Sequence, residues 1–216
     1  MFIVFEGLDG VGKDTQLRQV FDYITNNYKH LQVTKTQEPS GFSDSWKEIV
    51  RKLQNEWFKN PEEALNLYIK DRVEMNNFKK YVNDYGILLC SRWDYTTYAY
   101  QSLDQWDKKG FSFDEIYEKH RELEWNESLL IPDLTFYFDL PIEETMNRIN
   151  NRLKEWEKKD FFEKQDFLSK ARHQYLSSIK YLEDKENRKI FIIDATKTID
   201  EIYKEVIVII AKFLNK

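Results

Sequence analysis

Short apolar runs of strand length recur along this chain, and stretches with the three-to-four-residue apolar spacing of helices separate them. The apolar runs predict strands near residues 2–6, 31–36, 87–90, 133–138 and 189–193. Helical spacing occupies roughly 14–28, 43–54, 61–84, 94–107, 112–125, 141–155, 163–182 and 198–214. Strands alternating with helices predict an α/β fold: a five-stranded parallel sheet flanked by helices, with ligands at the carboxyl ends of the strands. Pro39, Pro61, Pro132 and Pro141 each fall at a predicted boundary, where a missing N–H costs least. No repeat, low-complexity tract or flexible linker interrupts the pattern, so residues 1–216 are expected to form one domain.

The first junction carries the most chemistry. Phe2-Ile3-Val4-Phe5 runs directly into Gly7-Leu8-Asp9-Gly10-Val11-Gly12-Lys13, after which helical spacing begins. Strand, glycine-rich turn and helix make a P-loop: backbone N–H groups and the helix N-terminus face a phosphate, and Lys13 adds a full positive charge. A Ser or Thr hydroxyl, the usual Mg²⁺ ligand, is expected next, but this chain has Asp14. A nucleoside triphosphate site with altered metal chemistry follows.

Composition narrows the class. The chain has 216 residues, is 41% hydrophobic and 33% charged, and carries 16% aromatics, enough for a sizeable core and inconsistent with disorder. A lone cysteine, Cys90, excludes an internal disulfide framework and suits a reducing, cytoplasmic setting. The N-terminal apolar run is too short for a signal peptide and ends at Glu6. The run Val206–Ala211 falls short of the roughly 20 residues of a membrane span and reads as the buried face of the last helix. With a net charge of −5 and no isolated basic block, neither nucleic acid nor a membrane is an expected partner. The charged stretch 152–160 reads alone as a solvated helix end; after a P-loop it reads as a lid over phosphates, about residues 152–162.

A series of segments, in order, resembles the thymidylate kinases among the nucleoside monophosphate kinases. Phe5 to Lys13 is similar to the family's FEGxDGxGK opening, continued by Thr15-Gln16, and Glu38-Pro39 with Gly41 resembles its REPGG loop. Asp71-Arg72 resembles its DR pair; Ser91-Arg92-Trp93 followed by Ala99-Tyr100-Gln101 resembles DRY…AYQ. Pro132 to Thr135 with Asp139 resembles PDLTxxLD; Asp160, Phe162 and Glu163 resemble DRFE; Ile193-Asp194-Ala195 resembles the strand ending near the adenine.

The resemblance implies transfer of the ATP γ-phosphoryl group to dTMP with Mg²⁺, in a P-loop NTPase fold with a lid segment, and a homodimer. It places Lys13 on the ATP phosphates within the loop of Gly7, Gly10, Gly12, Asp14 and Thr15, and Arg92 on the acceptor phosphate. Gly10 stands where one family variant has its catalytic arginine, so the resemblance passes that role to a lid arginine, Arg152 or Arg148. Asp9 matches an acid near the acceptor sugar. Glu38, Pro39, Tyr68, Arg72, Thr97, Tyr100 and Gln101 match positions around the acceptor base and deoxyribose. Taken singly, Tyr68 and Tyr100 read equally as core aromatics, Arg72 as a surface charge and Asp9 as a turn former. His30, His120 and His173 match no motif and receive no role.

Four positions depart from the pattern: Asp14 for the metal-binding hydroxyl, Ser91 for the acid of DRY, Gln37 for the arginine of REPGG and Phe161 for that of DRFE. The first two exchange a carboxylate and a hydroxyl, so both Asp14 and Ser91 are candidate Mg²⁺ ligands. Two other readings compete: a deoxynucleoside kinase with an uncharged acceptor, and a nucleotide-binding homologue with little catalysis.

Overall fold

The computed structural model describes residues 1–56, 58–79, 86–104, 108–123, 130–152 and 164–214. Five strands, β1 (Phe2–Glu6), β2 (Gln32–Gln37), β3 (Gly86–Ser91), β4 (Leu134–Asp139) and β5 (Ile190–Asp194), form a parallel sheet ordered β2-β3-β1-β4-β5. Their residues explain their places. β1 is wholly buried and central, and β4 is buried through Phe138, whereas the polar Gln-Val-Thr-Lys-Thr-Gln of β2 occupies an edge. The helices are α1 (Lys13–Asn27), α2 (Asp44–Arg51), α3 (Pro61–Lys79), α4 (Asp94–Gln101), α5 (Phe113–Leu123), α6 (Ile142–Arg152), α7 (Gln165–Glu186) and α8 (Ile199–Leu214). A large core cluster joins β1, β3 and β4 to α1 and to α3 through α8, which places helices over the sheet as the alternating pattern predicts.

Register brings the functional ends together. Phe5 pairs with Ser91, Glu6 with Tyr137 and Gln37 with Ser91, so the P-loop, the end of β3 and the end of β2 emerge at one rim.

Three expectations need correction. The helix expected over 43–54 stops being regular at Arg51 and continues as a π-helical turn, Lys52–Glu56, where the buried Lys52 ammonium lies 2.9 Å from Glu63 and 3.8 Å from Glu48. The helix expected over 94–107 ends at Gln101, because the Phe111 N–H, 3.0 Å away, takes up the Gln101 carbonyl from across a loop. The apolar run 206–211 buries Val206 and Ile210, one turn apart, while Val208 is 56% exposed. The expected lid, about residues 152–162, lies outside the described residues apart from Arg152 at the end of α6, as do the motif positions Asp160, Phe161, Phe162 and Glu163.

Candidate active site

The P-loop needs its glycines for space and backbone conformation. At Gly7, φ is +143° and a Cβ would lie 2.8 Å from the Phe138 carbonyl oxygen, so no side chain fits. At Gly12, φ is +94°, and its carbonyl accepts the Thr15 and Gln16 N–H groups at 3.1 Å to open α1. This turn holds Lys13 nearly sealed, 4% exposed, with Nζ 3.4 Å from the Leu8 carbonyl, 3.6 Å from Asp9 Oδ1 and 3.8 Å from Asp14 Oδ2. Burial, then the nearby Arg92 charge, push the Lys13 ammonium below its ordinary range.

Arg92 follows β3 directly in a left-handed conformation, φ 67°, unusual for a residue with a side chain. Its N–H donates to the Phe5 carbonyl at 2.9 Å, extending the sheet ladder by one residue and turning the guanidinium toward the P-loop. There Nη2 donates to Asp9 Oδ1 at 2.5 Å, while the buried Nε finds no hydrogen-bond partner among the described residues. Asp9 thus sits between two cations. Burial opposes its charge, but Arg92 and Lys13 outweigh burial and bring the carboxyl down to about 2.

Glu6 supports this constellation from beneath. Its buried carboxylate accepts the Trp93 N–H at 2.7 Å, the Thr96 hydroxyl at 2.8 Å and the Tyr175 hydroxyl at 3.2 Å, tying β1 to the turn that carries Arg92 and to α7. The sequence marked Glu6 as the end of an apolar run and as part of the FEGxDGxGK match, and gave it no role.

Asp14 turns toward the end of β3, where the Ser91 hydroxyl donates to its Oδ1 at 2.5 Å. One carboxylate and one hydroxyl, in contact, with the Asp14 side chain 65% exposed, fit Mg²⁺, which takes one or two carboxylates together with phosphate oxygens and water. Among the described residues no group of three or more His, Cys, Asp or Glu gathers to cage a metal without such outside ligands.

A cavity of about 230 Å³ brings together every acceptor-site residue expected from the sequence: Asp9, Glu38, Pro39, Tyr68, Arg72, Arg92, Thr97, Tyr100 and Gln101, joined by Leu53 and Thr96. Arg72 is no surface charge; it is 1% exposed. Its Nε and Nη2 grip Glu38 bidentately at 2.8 and 2.5 Å, Nη2 also donates to Thr97 Oγ1 at 2.9 Å, and Trp93 lies 5.2 Å from the guanidinium. Burial raises the Glu38 carboxyl to about 7 against the pull of Arg72. Neighbouring Asp71, also 1% exposed, accepts the Ser40 N–H and hydroxyl at 2.8 and 2.7 Å and the Ser43 hydroxyl, pinning the loop that bears Glu38 and Pro39. Tyr68 packs on Phe58 and Tyr100 on Phe167 and Tyr175, each with the cavity on another side, so both are core aromatics and cavity walls at once.

Arg148 spans from the P-loop to the loop after β5, donating to the Val11 carbonyl at 3.4 Å and the Ala195 carbonyl at 2.9 Å. Arg152 is exposed at the end of α6, and its charge contributes to the lowering of Asp9. Thr15 lies in the first turn of α1.

A parallel sheet opening onto a P-loop, with a buried lysine on one side and an arginine-lined cavity on the other, defines a P-loop phosphotransferase of the nucleotide kinase type. The thymidylate kinase family model matches residues 5–206, and the chain belongs to that family. It is 33% identical to the probable thymidylate kinase of Sulfolobus acidocaldarius over 217 residues, covering 100% of this chain and 99% of the relative. It is 30% identical to the thymidylate kinase of Thermosipho africanus over the whole of both chains, and 30% to the probable thymidylate kinase of Methanococcus aeolicus over 95% of this chain and 93% of that one. The solved thymidylate kinase of Candida albicans shares the fold at a TM-score of 0.74 and 24% identity, covering 99% of this chain and 92% of that one.

Proposed function

We propose that this chain transfers the γ-phosphoryl group of ATP to the 5′-phosphate of dTMP, giving ADP and dTDP. The observation that carries the reading is the cavity beside the P-loop. Asp9 belongs both to its wall and to the Lys13 contact, and two arginines line it, Arg72 buried and Arg92 half-buried.

Phosphoryl transfer asks a protein to hold two anions in line and to stabilise their charge. Lys13 and the N–H groups of the loop from Gly7 through Gly10 and Gly12 to Thr15 hold the donor phosphates. Arg92, with an unengaged Nε, receives the acceptor phosphate as Asp9 gives up part of its hold on the guanidinium. Asp9 keeps Lys13 and Arg92 from repelling one another before substrate arrives. Arg152 at the mouth of α6 acts on the transferring group, and Arg148 supports the donor side through its two carbonyl contacts. Asp14 and Ser91 hold Mg²⁺, which when bound offsets phosphate charge.

The acceptor base meets Arg72. A guanidinium has five N–H bonds. Among the described residues, two Glu38 oxygens, Thr97 and the ring of His120 engage four, leaving one on Nη1 for the cavity. A donor there suits a base carbonyl, as in thymine, and disfavours the amino group of cytosine or adenine. Tyr68 and Tyr100 supply flat walls for base and sugar, with Gln101 beside them. A homodimer in the cytoplasm, joined through helices away from the cleft, completes the proposal on the strength of the family.

Incubation with ATP, Mg²⁺ and, separately, dTMP, thymidine, dUMP, dCMP, dGMP and dAMP tests it. ADP with dTDP from dTMP supports the reading. Product from thymidine alone would support a nucleoside kinase, and ATP binding with no product a nucleotide-binding homologue.

A further inference from the structure

We infer that His120 is a positioning residue for acceptor recognition, locking the guanidinium of Arg72 in the one orientation that presents its remaining N–H to the cavity; this rests on the acceptor-pocket reading above. His120 lies on α5 and does not itself line the cavity. It is 5% exposed, with Nδ1 2.8 Å from the Ile116 carbonyl and Nε2 2.6 Å from Arg72 Nη1. A carbonyl only accepts, so Nδ1 carries the proton and Nε2 turns a lone pair to Arg72. This tautomer is the one in which both contacts are hydrogen bonds.

The surroundings hold the ring in that role. It lies parallel to the Tyr98 ring, centroids 5.6 Å apart, and Tyr98 is itself wedged against Phe113. Burial, then the Arg72 charge, keep the imidazole neutral, down to about 3, so it stays an acceptor across the working range of pH. The guanidinium is therefore clamped on two edges. Glu38 takes Nε and Nη2, and His120 takes Nη1. Without His120, Nη1 keeps two unclaimed N–H bonds in a buried site, and the planar group loses its second fixed edge.

The test compares wild type with His120→Leu, His120→Gln and His120→Asn, reading kcat, KM for dTMP and for ATP, and dTMP affinity by calorimetry. Glutamine places an acceptor oxygen near the position of Nε2, and asparagine places one near Nδ1. The inference predicts that leucine and asparagine raise KM and Kd for dTMP about tenfold, the loss of one hydrogen bond to a charged group. KM for ATP stays within about twofold, and glutamine stays within about threefold of wild type throughout. If leucine does not fold, the glutamine–asparagine contrast carries the test. Equal values for the variants, or dTMP and ATP constants rising together, overturn the role of His120 while wild-type turnover of dTMP keeps the functional reading. Absence of wild-type dTMP turnover and binding overturns both.

Discussion

Replacing Asp9 with asparagine removes the one negative charge among the described residues that is ion-paired with both Lys13 and Arg92, while keeping size and shape. At 3.6 Å, the Lys13–Asp9 attraction alone is about 5 kcal/mol at an effective dielectric of 20, and Arg92 lies closer still at 2.5 Å. Burial opposes most of this. The net is the fall of the carboxyl from 3.8 to about 2, equivalent to about 2.4 kcal/mol in favour of the charged form. The side chain is 30% exposed, so solvent screening lowers the expected contribution to about 1–2 kcal/mol. Because the folded value is depressed, the contribution is present above 3.8 and is lost as pH falls through 2. Urea denaturation of wild type and Asp9→Asn at pH 7 and pH 5 should show the same gap of about 1–2 kcal/mol at both. Adding dTMP or inorganic phosphate, whose charge replaces that of Asp9 between the cations, should shrink it. A gap below about 0.5 kcal/mol, or one that phosphate widens, would refute the reasoning.

Other consequences follow from the same geometry. Asp14→Thr should weaken Mg²⁺-dependent ATP binding, and adding Ser91→Asp should recover it beyond additivity by about 1 kcal/mol or more; strict additivity in titrations with Mg²⁺ would mean that the two side chains do not share a metal. Burial raises the Glu6 carboxyl, so its contribution to stability is complete below 4.5 and declines as pH rises through the raised value. Glu6→Gln, which cannot ionise, should gain stability relative to wild type as pH climbs above 4.5, and a gap constant with pH would contradict this. Gly7→Ala forces a Cβ to within 2.8 Å of the Phe138 carbonyl at φ +143°, and should cost about 1–3 kcal/mol and raise KM for ATP; an alanine variant with wild-type melting and ATP kinetics would show that the loop is not so confined.

What could be read in advance was what local chemistry dictates. Buried strands such as β1 and β4 announce themselves as apolar runs, and the glycines before Lys13 announce a turn that only they can make. Arg92 was legible because it follows a strand end, although its left-handed backbone was not. What escaped depends on contacts across the fold. Nothing near Gln101 signals a helix end, since the N–H that stops it comes from Phe111. His120 looked ordinary because its partner, Arg72, is 48 residues away on another helix. Glu6 looked like the polar end of a strand and is instead the acceptor for three residues far along the chain. Arg72 read equally as a surface charge and as an acceptor-site residue, because what buries it lies far along the chain: Glu38 in the loop after β2, Thr97 on α4 and His120 on α5. The acid–hydroxyl exchange between Asp14 and Ser91 was visible as two departures from a pattern, and their contact joins them.

The most direct test follows the phosphorus itself. Equimolar ATP and dTMP with Mg²⁺ and the purified chain, watched by ³¹P NMR, should lose the ATP β resonance while terminal β resonances of ADP and dTDP grow together and inorganic phosphate stays at baseline. Inorganic phosphate rising in step with ADP would mean hydrolysis instead of transfer. An unchanged spectrum would mean that the arginine-lined cavity beside the P-loop does not bring an acceptor into line.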